Sequence, residues 1–144
     1  MTNDQLKKQL LKIQKHNGGS LSPAAVVDAA RAEEHPLHGR FEWDDSKAGE
    51  AYRIEQARRL IRAVVTVINT GGAEIKTRAF VSLSTTKGTP EPYININAVT
   101  NSRDLMDVLL ADARRDAESF AAKYAILKKC KPVVTAMRRA KLIA

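Results

Sequence analysis

Apolar residues along the first half of the chain recur at helical spacing. In DQLKKQLLKIQK, Leu6, Leu10 and Ile13 fall at i, i+4 and i+7 with Leu11 beside them, which predicts a lysine-rich amphipathic helix over residues 4–15. HNGGS ends it, because Gly18 and Gly19 accept the left-handed conformations that close a helix. Ser22 as N-cap and Pro23 at the first helical position open a short helix through Arg31 that buries Val26, Val27 and Ala30. Pro36 stops it. In DSKAGEAYRIEQARRLIRAV a longer helix follows, with Asp44 to Ser46 as cap chemistry. Ile54, Ala57, Leu60, Ile61 and Val64 share one side, and Glu55, Arg58, Arg59 and Arg62 the other.

At Val64 the period changes from helical to alternating. VVTVI is β-branched, NTGG is turn chemistry, and EIKTRAFVSL places Ile75, Thr77, Ala79, Val81 and Leu83 on one face, so a hairpin is expected. TTKGTPEP is a polar loop, and YININAV predicts a third strand with Ile94, Ile96 and Ala98 alternating against Asn95 and Asn97. Asn101 or Ser102 then caps a long helix. On it Met106, Leu110, Ala113, Ala117, Phe120, Tyr124 and Leu127 step 4-3-4-3-4-3, a three-heptad seam. The seam serves either to cover the small sheet or to associate with a second copy. KKCKP ends the helix, and Val133, Met137 and Leu142 or Ile143 suit a last short amphipathic one. The fold class expected is α+β: N-terminal helices, a small antiparallel sheet of about three strands and a long C-terminal amphipathic helix. Residues 1–100 would form one domain and residues 101–144 a helical segment with a basic end.

A chain of 144 residues is one ordinary domain, or a small domain with a helical extension. The single cysteine, Cys130, excludes an internal disulfide framework and a multi-cysteine zinc site, and suits a reducing compartment. A polar N-terminus carries no secretion signal, and no run approaches the roughly 20 apolar residues of a membrane span. The expected location is the inside of a cell, with no membrane partner.

Net charge is +8, and its distribution is uneven. After Glu118 come Lys123, Lys128, Lys129, Lys131, Arg138, Arg139 and Lys141 with no acid among them, whereas residues 28–50 are dominated by acids. Such a polarised molecule attracts a polyanion or an acidic protein surface; the plainer alternative is a solvated tail.

HPLHGRFEWDD concentrates rare residues: two of the three histidines and the only tryptophan. His35 and His38, with Glu33, Glu34, Asp44 and Asp45, invite a metal reading, but Pro36 breaks the helix that would put i and i+3 on one face, and no metal is expected. Phe41 and Trp43, two apart, face the same way in an extended segment and read as an anchor that locks a joint against the core. No nucleophile elbow or phosphate-binding glycine loop is present, the WDDS carboxylates look like helix caps, and Cys130 reads as a bystander among lysines. No cofactor is expected, and enzyme is the unfavoured class.

Helix, short helix, turn, amphipathic helix and hairpin is the order of a winged helix-turn-helix. In that reading Arg53, Arg58, Arg59 and Arg62 on the third helix, with Lys76 and Arg78 on the wing, contact phosphate or guanine. Lys128, Lys129, Lys131, Arg138, Arg139 and Lys141 add sequence-independent attraction. Against it, Asp44, Asp45 and Glu50 crowd the helix start where base-reading residues usually lie.

Residues 24–62, AAVVDAARAEEHPLHGRFEWDDSKAGEAYRIEQARRLIR, resemble a family of small proteins encoded by tailed bacteriophages and prophages. The marks are VVDAAR, PLH with FEWDD, AYR and QARRLI, followed by a strand and TRAFVSL; the similarity extends over about residues 5–85 and is looser in the C-terminal helix. Family members are described only as phage proteins, so the resemblance implies origin and no site residue. It leaves two expectations, both non-catalytic. One is a phage-encoded DNA-binding protein, regulatory or accessory, homo-oligomeric, in the bacterial cytoplasm. The other is a protein–protein module, either an inhibitor of a host protein or an assembly component placed in the phage particle.

Overall fold

The computed structural model describes residues 1–47, 49–90 and 92–144. They form two compact units, Met1–Asn101 and Ser102–Ala144. The fold class is α+β with a long C-terminal helix. No helix among the described residues is long and apolar enough to cross a membrane.

In the first unit, helix α1 (Asn3–His16) is closed at both ends by its own sequence. The Thr2 hydroxyl accepts from the Gln5 amide while the Gln5 side chain accepts from the Thr2 amide, a reciprocal capping box. At the other end Gly18 takes φ +71, and the Gly19 amide reaches back 2.9 Å to the Gln14 carbonyl, which satisfies an orphan carbonyl of the last turn. Helix α2 (Pro23–Ala30) starts on the Ser22 hydroxyl, 3.1 Å from the Ala25 amide. Helix α3 (Glu50–Ala63) begins behind Gly49 with no side-chain cap. The expected cap residue Asp44 instead accepts from the amide and hydroxyl of Ser46, a turn that ends before the helix starts.

Leu6, Leu10 and Ile13 of α1, Val26, Val27 and Ala30 of α2, and Ala57 and Ile61 of α3 meet in one buried cluster with Leu21, Leu37, Phe41, Val64, Ala79, Phe80 and Tyr93. The apolar stripes of the three helices therefore bury as their periods require. Leu37 and Phe41 bring the long α2–α3 connection into the same core.

Strands β1 (Val65–Thr70) and β2 (Ala73–Arg78) pair antiparallel with Val65 opposite Arg78 and Thr70 opposite Ala73. Gly71 and Gly72, at φ +58 and +80, supply the left-handed turn that a two-residue hairpin needs. The second strand does not run on through AFVSL. The buried Ala79 donates its amide to Val64 (2.9 Å) and gives its carbonyl to the Ile96 amide (2.9 Å), so the chain changes partners there. Strand β3 (Phe80–Ser82) pairs instead with β4 (Tyr93–Asn95), and Leu21 forms a single bridge to Tyr93. Among the described residues two two-stranded ladders thus stand where one sheet of about three strands was expected.

YININAV is a strand only as far as Asn95. The Asn95 side chain accepts from the Asn97 amide and starts helix α4 (Ile96–Thr100), so the covered positions are Tyr93, Ile96 and Val99 rather than the alternating set.

In the second unit, Ser102 caps helix α5 (Arg103–Tyr124), a single tight turn spans Lys128–Cys130, and Pro132 lies in the first turn of helix α6 (Lys131–Arg139). The heptad seam is not one uniform face. Ala117 is buried and Phe120 and Tyr124 are partly covered, their rings 5.1 Å apart, but Met106, Leu110 and Ala113 are exposed. Leu127 lies past the end of α5 and is exposed as well, which shortens the seam by its last step.

Replacement of Ser22 by alanine removes the only side-chain cap of α2 and is expected to lower unfolding stability by about 1 kcal/mol in urea denaturation, with Ser22→Asp close to wild type.

Candidate nucleic-acid interface

HPLHGRFEWDD folds back as a joint around the Trp43 ring. Trp43 Nε1 donates to the His38 carbonyl (2.9 Å), the His38 ring stacks on the indole with centroids 4.9 Å apart, and Phe41 meets it at 5.7 Å. His38 Nδ1 lies 2.9 Å from the Ala30 carbonyl, so this nitrogen carries the proton and ties the joint to the end of α2. Two guanidiniums, those of Arg31 and Arg53, approach the ring at 5.8 and 5.7 Å.

Arg53 corrects the expectation of a DNA contact early on α3. Its residue is 5% exposed. Its guanidinium donates to Asp45 (2.6 Å), Glu50 (3.1 Å) and the Glu42 carbonyl (3.3 Å), and the Asp45 bond holds its charge more firmly than in water. Glu50 also binds Arg31 through both oxygens. Placed beside the core, a guanidinium needs such partners, and at this depth it is not open to a phosphate.

Farther along α3, Glu55 sits between Arg58 (3.3 Å) and Arg62 (3.1 Å), and these bonds hold its carboxyl below the usual range. Arg58 and Arg62 are exposed and each pairs with Glu55 at the surface, whereas Arg59 is exposed with no ion pair among the described residues. Helices α2 and α3 are joined by residues 31–49 rather than by the short turn of a helix-turn-helix.

More unpaired positive charge of the first unit lies on α1 and the hairpin. On α1, Lys8, Lys12 and Lys15 are exposed at i, i+4, i+7 with no ion pair among the described residues, and Asp4 is the helix's single acid. Lys7 reaches the Thr66 hydroxyl on β1, and Asn3 exchanges hydrogen bonds with the Val65 backbone at 3.0 and 3.3 Å. These contacts lay the hairpin alongside α1. A groove of about 500 Å³ runs between them, lined by Asn3, Asp4, Lys7, Val65, Thr66, Val67 and Lys76. Lys76 and Arg78 are exposed, unpaired among the described residues, and project from the same face of β2.

The structure therefore brings Lys76 into one groove with Lys7, on the helix that carries a lysine row which helix composition alone did not single out. The signal was there: LKKQLLKIQK alternates its lysines with the buried stripe. What was missing was the hairpin's position beside it.

In the second unit Lys128, Lys129, Lys131, Arg138, Arg139 and Lys141 are all exposed and make no ion pair among the described residues; Arg138 Nε donates to the Ala144 backbone oxygen (3.2 Å). Cys130 is partly covered and unpaired with another cysteine. No family model, curated protein or solved structure matches this chain. Its chemistry is read from its own residues.

Trp43→Ala is expected to cost about 2–3 kcal/mol in chemical denaturation, since it removes a large ring packed on Phe41 and His38. The lowered carboxyls of Asp44 and Glu55 contribute stability that is fully present above the ordinary carboxylate range and is lost as pH falls through their lowered values. Urea midpoints across pH should decline on the acid side, less steeply in Glu55→Gln.

Proposed function

We propose that this protein is a non-catalytic DNA-binding protein of phage or prophage origin that grips the duplex backbone without reading its sequence through α3. What supports the reading is the unpaired lysine row of α1 on the helix whose Lys7 shares a groove with Lys76 of the hairpin, together with the unpaired Arg78 on the same face of β2. Exposed lysines along a helix and a groove neutralise phosphates at small structural cost and release condensed counterions as they do so. The six C-terminal cations extend the attraction from the second unit. The phage resemblance of residues 24–62 supplies the context and no contact residue.

A second reading is a protein–protein module, and one observation favours it. Met106, Leu110, Ile126, Leu127 and Val133 of the second unit are exposed, Ile126 to 85%. Self-association through this unit, as the heptad pattern suggested, remains the partner such residues would suit.

Mobility shifts of a random duplex across a salt series separate the two. On the DNA reading, affinity falls steeply with salt, and Lys8→Gln with Lys12→Gln and Lys15→Gln reduces the log–log slope by about 2–3. Arg58→Ala leaves the slope unchanged. Absence of any shift at low salt, with a concentration-dependent increase of mass in light scattering, would favour the second reading.

A further inference from the structure

Next to the lysine row the first unit holds a cavity of about 650 Å³ between the last turn of α1, the first turns of α2 and His35 of the joint. A cavity of this size accommodates a small organic molecule. Its two walls differ in chemistry. Ile13, Ala24, Ala25 and Ala29 make an apolar wall with short side chains, so a flat ring can approach the α2 backbone closely. Lys12, His16 and His35 supply nitrogen donors on the other side, and Ser22, the α2 cap, puts the positive end of that helix at the mouth.

The remaining charged lining residue is Asp28, an exposed carboxylate that shares Arg31 (3.4 Å) with Glu50 and is outnumbered by the three nitrogen-bearing side chains opposite. His35 accepts from the Leu37 amide at Nδ1 (3.2 Å), which leaves Nε2 as its proton-bearing nitrogen when neutral. Burial, then Lys12, keep His35 readily neutral, while Glu34 opposes them. In this form Nε2 is a hydrogen-bond donor that an anion in the cavity could accept from.

We propose that this cavity is a binding site for a small organic monoanion with a flat apolar body, an aromatic carboxylate in chemical class: the ring lies on the alanine wall of α2 and the carboxylate meets Lys12, His16 and His35. The inference is independent of the DNA reading, although Lys12 belongs to both surfaces.

The experiment uses the full chain, 2-naphthoate as probe and 2-naphthalenemethanol as its uncharged counterpart, followed by amide chemical shifts in nuclear magnetic resonance. Saturable naphthoate binding is expected, with shifts confined to residues 12–17, 22–29, 35 and 89, the last beside the lining Pro90, and with the alcohol at least ten-fold weaker. Lys12→Gln, at an exposed position, should weaken naphthoate about five-fold or more with the spectrum otherwise preserved. Ala24→Phe, also exposed, fills the cavity from its wall and should abolish binding while far-ultraviolet dichroism stays unchanged. Equal binding of acid and alcohol, shifts centred on Ile126, Leu127 or Val133, or no saturable binding would each overturn the proposal.

Discussion

The guanidinium of Arg53 fastens the long connection between α2 and α3 to the helix that follows it. Shielded beside Trp43 and bonded to Asp45, Glu50 and the Glu42 carbonyl, it converts a stretch rich in acids into a closed joint. Because Arg53 and Trp43 hold the connection down, Leu37 and Phe41 reach the core shared by α1, α2 and α3. A charge withdrawn from water must be paired where it sits, so the acids at the start of α3 serve the fold first.

That constraint redistributes the molecule's positive surface. With Arg53 enclosed and Arg58 and Arg62 leaning on Glu55, α3 presents Arg59 as its unpaired arginine among the described residues. Helix α1 has no comparable acids to answer its lysines, and the hairpin, anchored to α1 by Asn3 and Lys7, places Lys76 in one groove with Lys7. The same helix contributes Lys12 and His16 to the cavity against α2. One element thus contributes to both the broad cationic face and the open pocket.

Much of the architecture was legible as pattern. The stripes Leu6–Leu10–Ile13 and Val26–Val27–Ala30, the Ser22 cap and the NTGG turn each depend on local chemistry, and they appear where the pattern placed them. YININAV misled because Asn95 can cap a helix as readily as it can face solvent on a strand, and alternation over so few residues does not separate the two. EIKTRAFVSL misled because an unbroken alternating run conceals the partner exchange at Ala79, which depends on where Val64 and Ile96 lie. The joint was readable as a joint from Phe41 and Trp43, but not its dependence on Arg53.

Sequence alone determined the N-terminal helices and their buried stripes, the Ser22 cap, the NTGG turn and the charge carried by each segment, because these follow from spacing and side-chain chemistry over a few residues. Only tertiary structure decided which charges remain free: an arginine's availability turns on whether a carboxylate or carbonyl, close or distant along the chain, comes within hydrogen-bond reach after folding. Arg53 and Lys12 are both cations on amphipathic helices. One is sealed beneath a tryptophan, and the other stands open beside a cavity.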